Sequence, residues 1–173
     1  MAGDASKILI GAATVSIGPW VTAGGAGTLV DVGFTSGPVE LTTKTTFYDA
    51  KVEQAETPVA QAITEQSFTL KVPCIQGELE KLRMATQQPT ANLVTKTLTV
   101  ARPTLQYYQV QFVGKGPETG GTRTVTIYRC IVKDVGAIQF GKGAEQKYEL
   151  TLEAYQDTSI TATANTVMKV VDA

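Results

Sequence analysis

The sequence contains no histidine. That removes Ser-His-Asp and Cys-His nucleophilic sites and most zinc sites, all of which need an imidazole as base or ligand. Carboxylates, lysines and two cysteines remain as groups that could do chemistry. Glu149 and Glu153 fall on one strand face with Thr151 between them, the disposition a hydrolytic carboxylate pair would need. The plainer reading is an exposed sheet face. Glu78 and Glu80 lie two apart on a helical stretch, so they do not face each other. The run from Gly136 to Gly143, with Gly141 and Lys142 at its end, comes close to the phosphate-binding pattern GxxxxGK[ST]. Gly143 stands where a hydroxyl would ligate magnesium, and the residues behind it alternate like a strand, whereas the motif needs a helix N-terminus. A turn at Gly141-Lys142-Gly143 accounts for it. Cys74 and Cys130 sit in strand-like runs and read as two buried thiols, with a disulfide between neighbouring strands as the alternative. These residues assemble no catalytic site and call for no cofactor and no metal, so the expectation is a protein that is not an enzyme.

The elements that hold these residues are mostly strands. Threonine occurs 26 times, often two apart, as at Thr95, Thr97, Thr99 and at Thr122, Thr124, Thr126. A β-branched side chain suits a pleated surface better than a helix. Residues 7–17 carry Ile8, Ile10, Val15 and Ile17 and predict a first strand, followed by a glycine-rich loop over 18–29. Over 38–48, Val39, Leu41, Thr43, Thr45 and Phe47 alternate with Glu40, Thr42, Lys44, Thr46 and Tyr48, the pattern of a half-buried strand. Over 63–74, Phe68, Leu70, Val72 and Cys74 repeat it, and Pro73 marks its end. Between them, residues 49–62 break the pattern and predict a long excursion. Ile75, Leu79 and Leu82 recur at helical spacing, with Glu78 and Glu80 early and Lys81 and Arg83 late, so one short helix is predicted over 76–86 with its apolar stripe packed on a sheet. Val94, Lys96, Leu98 and Val100 predict a strand, as do residues 107–112. Residues 122–135 form a long mixed run, and 145–155 alternate most regularly. Residues 165–171 predict a last strand or an arm. Seven or eight strands and one helix imply a mainly β fold: two packed antiparallel sheets, a β-sandwich or small barrel, with a short flanking α-helix. No internal repeat or linker divides the 173 residues, so 1–173 reads as a single domain.

Charge excludes further classes. Fifteen Lys and Arg against sixteen Asp and Glu give a formal net charge of −1, and the cations form no stripe. A sequence-reading nucleic-acid domain is not expected. Residues 1–7 lack the basic-then-apolar run of a signal peptide, and no stretch of about 18 apolar residues would cross a membrane. A cytoplasmic site of synthesis with no membrane partner is the expectation.

One set of segments is distinctive in its order: Val30-Asp31-Val32-Gly33-Phe34-Thr35-Ser36-Gly37-Pro38-Val39-Glu40-Leu41, then Asp49-Ala50-Lys51-Val52-Glu53-Gln54, then Thr57-Pro58-Val59, then Phe68-Thr69-Leu70-Lys71-Val72, then the short helix; later Tyr128-Arg129-Cys130-Ile131-Val132 and Gly141-Lys142-Gly143. From about residue 28 to 156 this resembles the major tail protein, or tail tube protein, of long-tailed bacteriophages. The resemblance implies a homo-oligomer of hexameric rings stacked into a hollow tube. Genomic DNA passes through the lumen, and tape measure and tail terminator proteins are partners. It places the protein in the virion tail, assembled in the host bacterial cytoplasm. Residues 1–6 are then a flexible arm, and the loop over 49–62 contacts adjacent subunits through Asp49, Lys51, Glu53, Gln54, Thr57, Pro58 and Val59. A DNA conduit should not grip phosphate, which makes Glu40, Glu149 and Glu153 lumen-lining candidates. Alternatives are the tube of a contractile tail or injection device, a capsid decoration or neck protein, and a non-enzymatic all-β binding module.

Overall fold

The structure is a computed structural model that describes residues 13–25, 27–51, 53, 57, 59–75, 78–117, 121–137, 147–160 and 166–173. Its organising element is the long strand β8 (Thr122–Val135). Val125 and Ile127 face the core in one phase, and Cys130 and Val132 in another. The change of phase coincides with a register shift against β7 (Tyr108–Lys115), where Tyr108 pairs with Cys130 and Val110 with Ile127. A β-bulge inserts a residue and turns the strand, which is why the run 122–135 reads as mixed in the sequence.

Both sides of β8 are occupied. On one lies β7, which carries β1 (Thr14–Pro19) and then the two-residue β2 (Val30–Asp31). On the other, β9 (Tyr148–Tyr155) covers residues 129–135 and β10 (Met168–Asp172) covers 123–127. Beyond β9 come β4 (Ala60–Cys74) and β3 (Glu40–Ala50). The eight-stranded antiparallel sheet has the order β2-β1-β7-β8-β9-β4-β3 with β10 as a branch on β8. A second sheet is the small hairpin of β5 (Leu93–Val94) and β6 (Thr97–Leu98). Among the described residues the fold is thus mainly β with two antiparallel sheets and one α-helix, as the composition and periodicity imply.

The large sheet curls onto a single core. Val15, Ile17 and Val110 from one flank and Leu70, Val72 and Leu152 from the other belong to the same buried cluster. Residues 32–36 bridge the two flanks. Val32 N donates to Val15 O, Ser36 N to Pro73 O and Ile75 N to Phe34 O, and Thr35 pairs with Cys74. Gly33 takes φ +83°, a left-handed conformation that suits glycine, and its N–H donates to Asp31 Oδ1. Gly18 is required for a different reason: a Cβ there would lie 2.3 Å from the backbone oxygen of Thr28.

The helix α1 (Leu79–Ala85) is shorter than the predicted 76–86, and it buries a different face. Lys81, Arg83, Met84 and Ala85 are inside, whereas Leu79 and Leu82 are half-buried. Arg83 tolerates burial because its donors are satisfied, by Glu80 one turn earlier and by Gln88 O at 2.7 Å. Lys81 pairs with Glu78 at 3.5 Å. Tyr108 OH donates to Met84 O, and Gln87 Nε2 donates to Val132 O, so the helix docks on β7 and β8. Cys74 and Cys130 are free thiols, each almost wholly buried. The first strand starts at Thr14, and Ile8, Ile10, residues 1–6 and Gly141-Lys142-Gly143 lie outside the described residues. The strand predicted through Val94–Val100 is instead the β5–β6 hairpin followed by a coil. Residues 165–171 do give a last strand, β10.

Candidate functional site

The structure overturns one boundary with consequences for function. The excursion expected over 49–62 is a hairpin: β3 runs to Ala50 and β4 begins at Ala60, so the connection spans only 51–59. Val59 N donates to Ala50 O at its base. The charges and the proline hid strand arms that neither packing nor a strong apolar alternation announces.

This hairpin projects beyond the body. Only residues 68–74 of β4 pair with β9, whereas β3 accompanies β4 from Lys71 back to Ala60. Among the described residues the distal half therefore has no sheet neighbour on the β9 side, and β3 has none on its outer side. Every residue from Ala60 to Gln66 is exposed, as are nine of the eleven residues of β3. A free edge of that length is a template for another strand, and soluble proteins usually shield such edges.

The exposed arms also carry apolar side chains in a defined phase. Leu41 pairs with Leu70, Thr43 with Phe68, and Phe47 with Ile63. Residues opposite each other share a face, so these form one row, and Leu70 is core. Along β4, Phe68 and Ile63 are an odd number of residues apart and would fall on opposite faces. A bulge corrects this, with Thr46 opposite Glu65 and Phe47 opposite Ile63, so Thr64 is the extra residue. Its hydroxyl donates to Thr46 O. The core-facing row thereby continues past the end of the core, where Phe47 is 57% exposed and Ile63 65%.

Of the sequence-predicted contact residues, Asp49 lies on the last turnless stretch of β3, and Lys51, Glu53, Thr57 and Val59 are exposed around the connection. Gln54 and Pro58 lie outside the described residues. The three lumen candidates come together on the other, polar face of the same sheet. Glu40 pairs across strands with Lys71, Pro73 with Glu149, and Thr69 with Glu153. Two of these charges are matched: Lys71 Nζ lies 3.8 Å from Glu149, and Lys133 Nζ 2.8 Å from Glu153. Hydrogen bonds from Lys133 and then Tyr155 hold the Glu153 carboxyl below its ordinary range. Two of the three carboxylates, Glu149 and Glu153, are thus occupied as ion-pair partners, while Glu40 lies across the strands from Lys71.

A further cluster escaped sequence reasoning because its members are far apart in the chain. The Arg129 guanidinium sits 3.9 Å from the Tyr107 ring centroid and 5.1 Å from that of Trp20. Trp20 Nε1 donates to Asp157 Oδ2 at 2.9 Å, and Ser159 donates to Oδ1 through both its N–H and its hydroxyl. Asp157 is fully buried. Burial alone would raise its pKa, but the bonds from Ser159 and Trp20, with Arg129 nearby, hold it below the ordinary carboxylate value. The cluster ties the ends of β1 and β9 together. Among the described residues no group of three or more His, Cys, Asp or Glu could hold a metal ion, and no helix is long and apolar enough to cross a membrane.

No protein-family model and no characterised protein sequence matches the chain. A solved structure, a chain of the anti-feeding prophage (AFP) baseplate, six-fold symmetrised, aligns over 99% of this chain and 97% of its own at 11% identity, with a TM-score of 0.48.

Proposed function

We propose that the chain is a non-catalytic structural subunit that polymerises with copies of itself, as the tail tube protein of a long-tailed phage-type particle. The observation that carries this reading is the projecting β3–β4 hairpin, whose outer edge is unpaired among the described residues and whose core-facing row runs out into solvent at Phe47 and Ile63. A monomer gains nothing from such an element. A ring subunit does, because the neighbour completes the sheet and covers the row, and a repeated head-to-tail contact closes into a ring or extends as a stack. Each added backbone hydrogen bond contributes about 0.5–1.5 kcal/mol, so several along β3 make a substantial interface. Stacked hexameric rings around a DNA-conducting lumen, with tape measure and terminator proteins as partners, follow from the resemblance in segment order. The face with Glu40, Glu149 and Glu153, whose lysines Lys71 and Lys133 are engaged in ion pairs, suits a lining that does not hold phosphate. The test is electron microscopy with sedimentation of the purified protein over a concentration series. Rings or tubes are expected; a monodisperse monomer at high concentration would favour a binding module instead.

A further inference from the structure

The hairpin needs an acceptor on the next copy, and a second exposed element has the complementary properties. After α1 the chain makes the β5–β6 hairpin and then runs as coil from Thr99 to Tyr107. Val94, Val100 and Leu105 are 64%, 62% and 56% exposed. An exposed stretch of this kind is usually mobile, yet this one is pinned from beneath. Gln88 has no exposed surface, and its side chain is fully used. Its Nε2 donates to Ala101 O and Thr86 O, while its Oε1 accepts from Ala101 N and Asn92 Nδ2. Thr99 N donates to Asn92 O and Thr104 N to Gln87 O. A segment held by its backbone with apolar side chains turned outward is pre-organised for contact, which lowers the ordering cost of binding.

Charge selects the occupant. Residues 93–107 contain Lys96 and Arg102 and no acid, and among the described residues neither cation has an ion-pair partner. The distal hairpin carries exposed Asp49, Glu53 and Glu65 against Lys44 and Lys51, a small acidic excess. Another open recess, a groove of about 660 Å³ beside Phe34, presents Asp31 and Glu78 against Lys81 and offers the hairpin no complementary charge. We propose that the distal β3–β4 hairpin of one copy docks on the 93–105 segment of the next, apolar row on Val94, Val100 and Leu105, acidic flank on Lys96 and Arg102. The two surfaces differ, so the contact is head-to-tail. The inference rests on the assembly reading and names its acceptor.

Two experiments on the full chain test it. Lys96→Glu with Arg102→Glu turns two exposed attractions into repulsions, and the concentration needed for assembly should rise about tenfold. Adding Asp49→Lys and Glu53→Lys to the same chain should restore it to within about threefold. Separately, an Asp49→Cys chain mixed with a Lys96→Cys chain should give covalent dimers with a short bis-maleimide, and neither chain alone should. Cys74 and Cys130 do not compete, since both are buried. If the reversed chain assembles like the parent, if the second reversal fails to rescue it, or if assembled mixtures do not cross-link, the docking pair is wrong while the assembly reading stands. If the parent chain forms no particles, both fall.

Discussion

Phe47→Ala separates folding from assembly. In the single chain this side chain is 57% exposed, and it touches solvent on a face that elsewhere is core. Full burial of a large apolar side chain is worth about 1.5–3 kcal/mol. Somewhat over half of that surface is still available to a neighbour, so truncation should weaken each contact by about 1–2 kcal/mol. At 1.4 kcal/mol per tenfold, the midpoint concentration for assembly rises roughly 5- to 30-fold. Folding of the dilute chain should shift by no more than about 0.5 kcal/mol, as for other exposed positions. Leu70→Ala is the reference: Leu70 pairs in the same strand ladder but is 1% exposed, and its truncation should cost about 2–5 kcal/mol of folding stability. Sedimentation velocity over a concentration series reads the first effect and thermal unfolding of the dilute protein the second. An unchanged assembly midpoint, or a loss of folding stability approaching that of Leu70→Ala, would refute the reasoning.

Asp157→Asn should cost about 1–3 kcal/mol of folding stability, because the buried carboxylate accepts from Trp20 and Ser159. Its folded pKa is depressed, so its contribution is complete above the ordinary unfolded value of about 3.9 and is lost as pH falls through the folded value; melting curves should show the gap to the parent constant from pH 7 to about 5 and shrinking below about 4. Gly18→Ala places a Cβ against the Thr28 carbonyl and should destabilise by about 1–3 kcal/mol in chemical denaturation, with no rescue by higher protein concentration. Glu149→Lys with Glu153→Lys replaces one exposed and one half-exposed ion pair by repulsion with Lys71 and Lys133. Folding should change by under about 1 kcal/mol; on the proposed tail-tube role, particles carrying the variant should eject DNA more slowly, with a delay that shrinks in added salt, and normal ejection would overturn the lumen-lining proposal for these positions.

Alternation made most of the sheet legible. Leu41, Thr43, Thr45 and Phe47 share a face in β3, and Tyr148, Leu150 and Leu152 do so in β9, as their spacing says. Bulges were not legible, because a single extra residue leaves no compositional mark. The one at Thr64 made the β4 arm look like the end of a loop, and the one opposite Gln109 made β8 look mixed. Val94, Leu98 and Val100 have strand spacing, yet Val94 and Leu98 fall on two short strands that turn back on each other, and Val100 lies on the coil beyond, where the Gln88 side chain takes the hydrogen bonds of Ala101. The helix periodicity pointed to Leu79 and Leu82, but the local ion pairs of Glu78 with Lys81 and Glu80 with Arg83 let the charged residues go inside. The hairpin that occupies residues 49–62 was not legible, nor was its free edge among the described residues, because edge exposure depends on which strands arrive later in the chain.

Amide hydrogen exchange along β3, compared between dilute monomer and assembled particles, tests the central claim most directly. Half of the amides between Glu40 and Ala50 should face away from β4; these should exchange freely in the monomer and become strongly protected on assembly. Outward amides that stay unprotected in assembled particles, or that are already protected in the monomer, would contradict a sheet completed by the neighbouring copy.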